Sequence, residues 1–217
     1  MNISVVLSGG TGARFGGEIP KQYYEVCGKE LISYVINAVT KCQANHKTII
    51  VAAPDYIPRL STDYGLECVF SGEQHNHSVK NALDYIKTHY SQCKKVLFVD
   101  APRPFITSSD IQKYFDILDE VDAVFTAKHI TDSLGNANSL YIERSPYYLI
   151  QKPEGFVFDV LYDHFIIESP VTAIVQQMPQ GAKVAKHYIT DINLKITYPG
   201  DLILAQSLME HHLREES

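Results

Sequence analysis

Ile3-Ser4-Val5-Val6-Leu7-Ser8-Gly9-Gly10-Thr11-Gly12-Ala13-Arg14-Phe15-Gly16-Gly17 lies near the N-terminus and decides how the rest of the chain is read. Residues 3–8 are a short apolar run that stops on glycines, the pattern of a buried strand feeding a turn. Five glycines among residues 9–17 expose backbone N–H groups and permit close approach of an anion. Arg14 and, just beyond, Lys21 add two cations of different geometry, a planar fork and a point charge. Two common phosphate-binding patterns are excluded. A dinucleotide fingerprint starting at Gly10 needs glycine where Phe15 stands, and a Walker loop needs lysine where Glu18 follows Gly17.

Outward from this loop, strands and helices alternate. Leu31, Ile32, Val35, Ile36 and Val39 are spaced as one face of a helix over 30–42, and residues 47–53 read as a second strand closed by Pro54. A poor helix at 56–64, a short strand at 66–70, a helix at 77–90 and a buried strand at 95–99 ending at Asp100 follow. A helix at 108–118 begins at a Ser-Ser-Asp cap and leads to a strand at 121–127. Residues 128–150 break the pattern: they are polar, carry Gly135 and Asn136 as turn residues, and read as an extended hairpin. A helix at 155–166, a strand near 183–188 and a helix at 200–213 complete the chain. Such alternation implies an α/β fold with a mostly parallel sheet covered on both faces. Ligands of such sheets bind outside the carboxyl ends of the strands, here just after residues 8, 53, 70 and 99.

The 217 residues fit one large domain. A net charge of −6 argues against a general nucleic-acid binder, and no apolar run is long enough for a membrane span. No signal-peptide pattern is present. Cys27, Cys42, Cys68 and Cys93 form no CxxC pair and fit free thiols in a reducing cytoplasm. The nine histidines show no metal spacing, and His211-His212 reads as a solvated helix end.

The segment Leu7–Gly16, with Pro20-Lys21-Gln22, resembles the signature loop of nucleotidyltransferases. The nearest branch is CTP-dependent and includes methylerythritol-phosphate and ribitol-5-phosphate cytidylyltransferases. Three further stretches are similar in order. Ser71-Gly72…Ser78-Val79 resembles that family's Gly-Gly-x-x-Arg-x-x-Ser-Val loop, and Asp100-Ala101-Pro102-Arg103-Pro104-Phe105 its His-Asp-Ala-x-Arg-Pro-Phe turn. Asn193-Leu194-Lys195-Ile196-Thr197-Tyr198-Pro199 resembles its Asn-Ile-Lys-Ile-Thr-x-Pro segment. The resemblance implies a Rossmann-like three-layer sandwich of the nucleotide-diphospho-sugar transferase type, with a protruding β-arm at about 128–152 that swaps across a homodimer.

It also implies attack of a phosphate monoester on the α-phosphorus of CTP, with Mg²⁺. Arg14, Lys21 and Lys195 are then the catalytic candidates. Ser8, Gly9, Gly10, Thr11, Gly12, Gly72, Ser78, Ala101 and Arg103 are the nucleotide-binding candidates. Asp100, a hard carboxylate at the end of a buried strand, is the metal ligand or a turn cap. Arg103 binds a phosphate or orients its loop, and Ser78 caps a helix or meets the nucleotide. Lys195 reads as lying in a β-type segment. The acceptor half departs from the family. His75 stands for its Arg, Val99 for its His, Lys152-Pro153-Glu154 for its Thr-Pro-Gln, and Thr172-Ala173-Ile174 for its Thr-Asp-Asp/Glu. Lys128, Arg144, Lys152 and Thr172 are the acceptor-binding candidates. The departures point to a polyol or sugar phosphate such as ribitol 5-phosphate, with methylerythritol phosphate as the alternative. A nucleotide-binding module without catalysis is a third reading, disfavoured by the joint retention of Arg14, Lys21, Asp100 and Lys195.

Overall fold

The computed structural model describes residues 1–138, 141–189 and 192–215, with side chains to residue 211. Residues 139–140 of the expected arm and the His212 side chain therefore lie outside the described residues. Strands β1 (Asn2–Ser8), β4 (Lys47–Ala52), β5 (Glu67–Phe70), β6 (Lys95–Asp100), β7 (Ala123–His129), β8 (Tyr148–Val157) and β9 (Val184–Tyr188) form one sheet in the order β5-β4-β1-β6-β8-β7-β9. A two-stranded ribbon, β2 (Glu25–Val26) with β3 (Lys29–Glu30), stands apart. β4, β1 and β6 pair in parallel, as do β4 with β5 and β7 with β9. Only β8 runs against its neighbours β6 and β7.

Alternating side chains bury both faces. Val5, Ile49, Val51 and Phe98 pack with Val79, Leu83 and Ile86 of α3 (His75–His89) on one side. Val6, Ile50, Leu97 and Val99 pack with Ile32, Val35 and Val39 of α1 (Leu31–Lys41), and with Ile111 and Tyr114 of α4 (Ser108–Ile117), on the other. Each fully buried aliphatic or Phe side chain contributes about 1.5–3 kcal/mol relative to exposure. The result is the three-layer α/β sandwich, completed by α2 (Ile57–Tyr64), α5 (Phe158–His164) and α6 (Pro199–Glu215). No helix among the described residues is long and apolar enough to cross a membrane.

Two readings of the sequence are corrected. The helix expected at 155–166 begins only at Phe158, because residues 148–157 pair as β8 on both sides. Gly155 explains why a strand fits there. A Cβ on it would lie 2.9–3.3 Å from Leu118, Leu97 and Val124, so the sheet and α4 close directly over its backbone. The segment around Lys195 is not a strand: Ile196 is buried in a separate apolar cluster with Phe15, Val26 and Leu31, and its N–H donates to the Pro102 carbonyl (2.9 Å). Beyond the β7–β8 ladder, residues 130–138 and 141–147 of the excursion are mostly exposed and irregular.

Candidate active site

The glycine loop after β1 is shaped by three fixed points. Gly12 adopts φ +72°, the left-handed region that glycine favours, and its carbonyl accepts from Phe15 N–H (2.7 Å). Gly9 touches the loop after β5, since a Cβ there would stand 2.2 Å from that of Ser71. Gln22, buried in the 3₁₀ turn Lys21–Tyr23, donates to the carbonyls of Ser8 (2.7 Å) and Gly10 (3.0 Å). That clamp folds the turn back beneath the loop and brings Lys21 to it. Ser8 Oγ is itself engaged with Tyr23 Oη (3.2 Å).

A cavity of about 500 Å³ opens over this loop. Ser8, Gly9, Gly10, Thr11, Gly12, Arg14 and Lys21 line it from one side, Gly72, His75 and Ser78 from another, and Asp100 and Lys195 from a third. The residues that the sequence scatters over nearly two hundred positions thus share one chamber. Ser78 is not the first residue of α3, which starts at His75. Its Oγ accepts from Gly72 N–H (3.0 Å) and donates to the Gln74 carbonyl (3.3 Å), holding the loop in place. Ala101 faces the core, and its N–H extends the β1 pairing by donating to the Leu7 carbonyl (3.0 Å), so it does not line the cavity.

Asp100 sits where four chain segments meet. Arg103 Nε (3.1 Å) and Lys195 Nζ (2.9 Å) both engage its Oδ2. Arg103 Nη1 also donates to the Asn193 carbonyl (2.9 Å), so this buried guanidinium ties the strand end to the segment carrying Lys195. Asn193 Nδ2 in turn donates to the Lys152 carbonyl (3.0 Å) and to Gln151 Oε1 (3.1 Å). Burial pushes the Asp100 carboxyl up, but Lys195, Arg103 and Lys152 outweigh it and hold it well below the usual carboxylate range. Lys21 moves the other way. Burial, with Lys195 and Arg14 close by, lowers its pKa to about 8 against the pull of Asp100 and Asp201.

A second, adjoining cavity of about 310 Å³ shares Arg14, His75, Asp100 and Lys195 with the first and adds Arg103, Lys152, Glu154 and Thr172. Lys152 and Thr172 are therefore brought to the site. Lys128 and Arg144 are not: Lys128 is exposed at the outer end of β7, and Arg144 Nη1 donates to the Thr131 carbonyl across the excursion. Lys152 is buried and paired with Glu154. Sequence reasoning missed Gln22, Glu154 and Asn193 as the pieces that hold the site. All three stood inside quoted stretches, but nothing local showed that their side chains hold the site together. Burial, and then Lys152, lower the His75 pKa to about 4, so its imidazole is neutral at pH 7.

The arrangement offers convergent cations and open backbone N–H groups for a polyanion, with one carboxylate at the centre. Among the described residues no group of three or more His, Cys, Asp or Glu stands together as a metal site. Comparison with known proteins gives the following. Residues 2–211 match the IspD family, described as 2-C-methyl-D-erythritol 4-phosphate cytidylyltransferase. The chain is 30% identical over 217 residues to the enzyme of that name from Thermotoga neapolitana, covering 95% of this chain and 96% of the relative. It is 26% identical over 218 residues to that from Thermosipho melanesiensis, covering 94% and 96%. Its fold matches the crystal structure of 4-diphosphocytidyl-2C-methyl-D-erythritol synthase from Anaerococcus prevotii with a TM-score of 0.82 at 23% identity, over 97% of this chain and 96% of that one. For the 2-C-methyl-D-erythritol 4-phosphate cytidylyltransferase of Thermus thermophilus the TM-score is 0.76 at 22% identity, over 97% and 100%.

Proposed function

The chain belongs to the IspD family of 2-C-methyl-D-erythritol 4-phosphate cytidylyltransferases, and on that premise we propose that it transfers CMP from CTP to 2-C-methyl-D-erythritol 4-phosphate, releasing pyrophosphate. The family is enzymatic, so the reading as a module without catalysis falls. Ribitol 5-phosphate, which the altered acceptor residues pointed to, gives way to the acceptor named for both curated relatives above. One observation carries the reading: Arg14, Lys21, Asp100 and Lys195 line a single cavity over the glycine loop.

In the reaction an acceptor phosphate oxygen attacks the α-phosphorus and the bond to the pyrophosphate oxygen breaks. Two anions meet, so catalysis lies in alignment and charge neutralisation. Arg14 and Lys21 take the triphosphate, Lys195 lines both cavities beside Asp100, and Gly9, Gly10 and Gly12 place no side chain between the loop backbone and the phosphates. One carboxylate beside a cavity suited to a polyanion fits Mg²⁺, which proteins hold through one or two carboxylates. Asp100, whose Oδ2 is engaged by Arg103 and Lys195, would hold it. The ion would supply further neutralisation of the triphosphate. The proposal includes a cytoplasmic homodimer joined through the excursion at 130–147, which leaves Tyr141 (87%) and Tyr147 (54%) exposed. The four free thiols accord with a reducing compartment.

Pyrophosphate release with CTP, Mg²⁺ and a panel of acceptor phosphates tests the reading. Turnover is expected with methylerythritol 4-phosphate at the highest kcat/KM. Preference for another polyol phosphate would overturn the assigned acceptor, and CTP binding without turnover on any acceptor would overturn the activity.

The lowered pKa of Lys21 sets a pH dependence. Below about pH 8 the ammonium is charged in the free enzyme and attracts the triphosphate; above it the proton is lost and that attraction weakens. The KM for CTP is expected to rise as pH climbs past 8. The kcat should stay level further into the alkaline range, because bound triphosphate draws the pKa back up. Initial rates from pH 6.5 to 9.5 check this, and a Lys21→Ala variant should show no such rise in KM.

A further inference from the structure

β8 carries an irregularity at the site. Phe125 pairs with Glu154 while the next residue, Thr126, pairs with Gln151, so Lys152 and Pro153 have no partners on β7. On the other side the β6 pairing runs from Val157 only as far as Glu154. The ladder is thus interrupted where Lys152 enters the second cavity, and such bulges commonly re-aim a side chain beside a site. Lys152 is 6% exposed and Glu154 1%. Lys152 Nζ is paired with Glu154 Oε2, its one hydrogen-bond partner among the described residues. Glu154 is pinned from elsewhere: Oε2 also accepts from Ile174 N–H (3.2 Å), and Oε1 accepts from Val175 N–H (3.1 Å). The carboxylate is therefore fixed to the turn that follows Thr172 and Ala173, which form the far wall of the same cavity.

An ammonium has three donors, and Glu154 occupies one direction. Unlike Arg103 and Lys195, which engage Asp100, Lys152 belongs to a pair that carries no net charge. A neutral, donor-rich pair suits a neutral oxygen rather than a second anion, while the surplus cations on the Arg14 side suit phosphate.

We propose that Lys152 determines acceptor specificity by donating to a hydroxyl oxygen on the carbon chain of the acceptor, and that Glu154 is the positioning residue that holds its ammonium at the cavity wall. The inference rests on the reading of the site as a polyol-phosphate cytidylyltransferase and names the feature of the substrate that it selects. The buried N–H donors of Lys152 lose a partner when that hydroxyl is missing, which is the condition under which a site rejects a deoxy analogue strongly.

The test compares kcat/KM for methylerythritol 4-phosphate with kcat/KM for analogues each lacking one hydroxyl. It uses the wild type and the Lys152→Met/Glu154→Gln variant, which removes both charges together and keeps a side-chain oxygen for the 174–175 N–H groups. The wild type is expected to disfavour one deoxy analogue by on the order of tenfold or more. In the double variant that ratio should fall to within about twofold, with the KM for CTP preserved. Glu154→Gln alone should lower the same ratio, and less than additively with Lys152→Met, as expected of residues acting as a unit. If the double variant fails to fold, Lys152→Met alone takes its place, since Glu154 keeps its two backbone partners. An unchanged ratio in a folded variant overturns the inference. If the wild type does not turn over methylerythritol 4-phosphate, the assigned acceptor fails. The same ratio is then read on whichever of ribitol 5-phosphate or glycerol 3-phosphate is used, against its deoxy analogues. No turnover with any of the three overturns both.

Discussion

Lys21→Ala and Lys195→Ala are each expected to lower kcat by on the order of 10²–10³, with a smaller change in acceptor KM. The two ammonium groups face the same chamber from opposite ends of the chain, and the charge of Lys195 helps lower the pKa of Lys21. Charge is redistributed around the α-phosphorus as the new bond forms, and a positioned cation in a partly dry site acts on that change more than on substrate binding. Lys195 has a second task, because its Nζ lies 2.9 Å from Asp100 Oδ2. Its loss leaves that buried carboxylate with fewer cations and moves it off its set position, so Lys195→Ala should also weaken the dependence of rate on Mg²⁺ concentration. Steady-state kinetics with both substrates varied, alongside CTP binding measured without turnover, separates the two effects. Near-normal kcat in either variant would remove that lysine from the catalytic set.

The largest effect on stability is expected at Glu154. Glu154→Ala takes away the partner of a buried ammonium and two backbone acceptor contacts at once, and removal of one member of a buried pair costs about 3–5 kcal/mol. For a chain of this size that corresponds to a fall in Tm of about 6–20 °C. The double variant Lys152→Met/Glu154→Gln should lose far less, because no unpaired charge remains. The sign of the pH dependence follows from the lysine. Burial lowers its folded pKa to about 7, so between that value and the unfolded one the unfolded chain binds more protons and stability rises with pH. Removing Glu154 depresses the folded pKa further. The deficit of Glu154→Ala should therefore be deepest in acid and shrink as pH rises toward about 7, where the folded wild-type lysine itself loses its proton. Thermal melts from pH 5 to 9 check this, and a deficit that does not vary with pH would assign the role of Glu154 to its backbone contacts alone.

The sequence by itself determined the α/β class, the parallel half of the sheet and the place of the glycine loop. The reason is that these features are written locally: a strand that ends on glycines, helical apolar spacing at Leu31–Val39, and aspartate at a strand terminus. The tertiary structure alone decided what β8 is. Its residues carry one glycine and no clean alternation, and they become a strand only because β6 and β7 offer edges on both sides. The acceptor side depends on the same pairing. The sequence offers Lys152 as an acceptor-binding candidate alongside Lys128 and Arg144, and only the interrupted ladder turns it inward, while Glu154 is held by N–H groups about twenty residues away. Lys195 was found by its motif, yet its position comes from Ile196 buried among Phe15, Val26 and Leu31, and from Arg103 reaching across to Asn193. Motifs record which groups are present near a phosphate. Long-range packing and hydrogen bonding set where those groups stand.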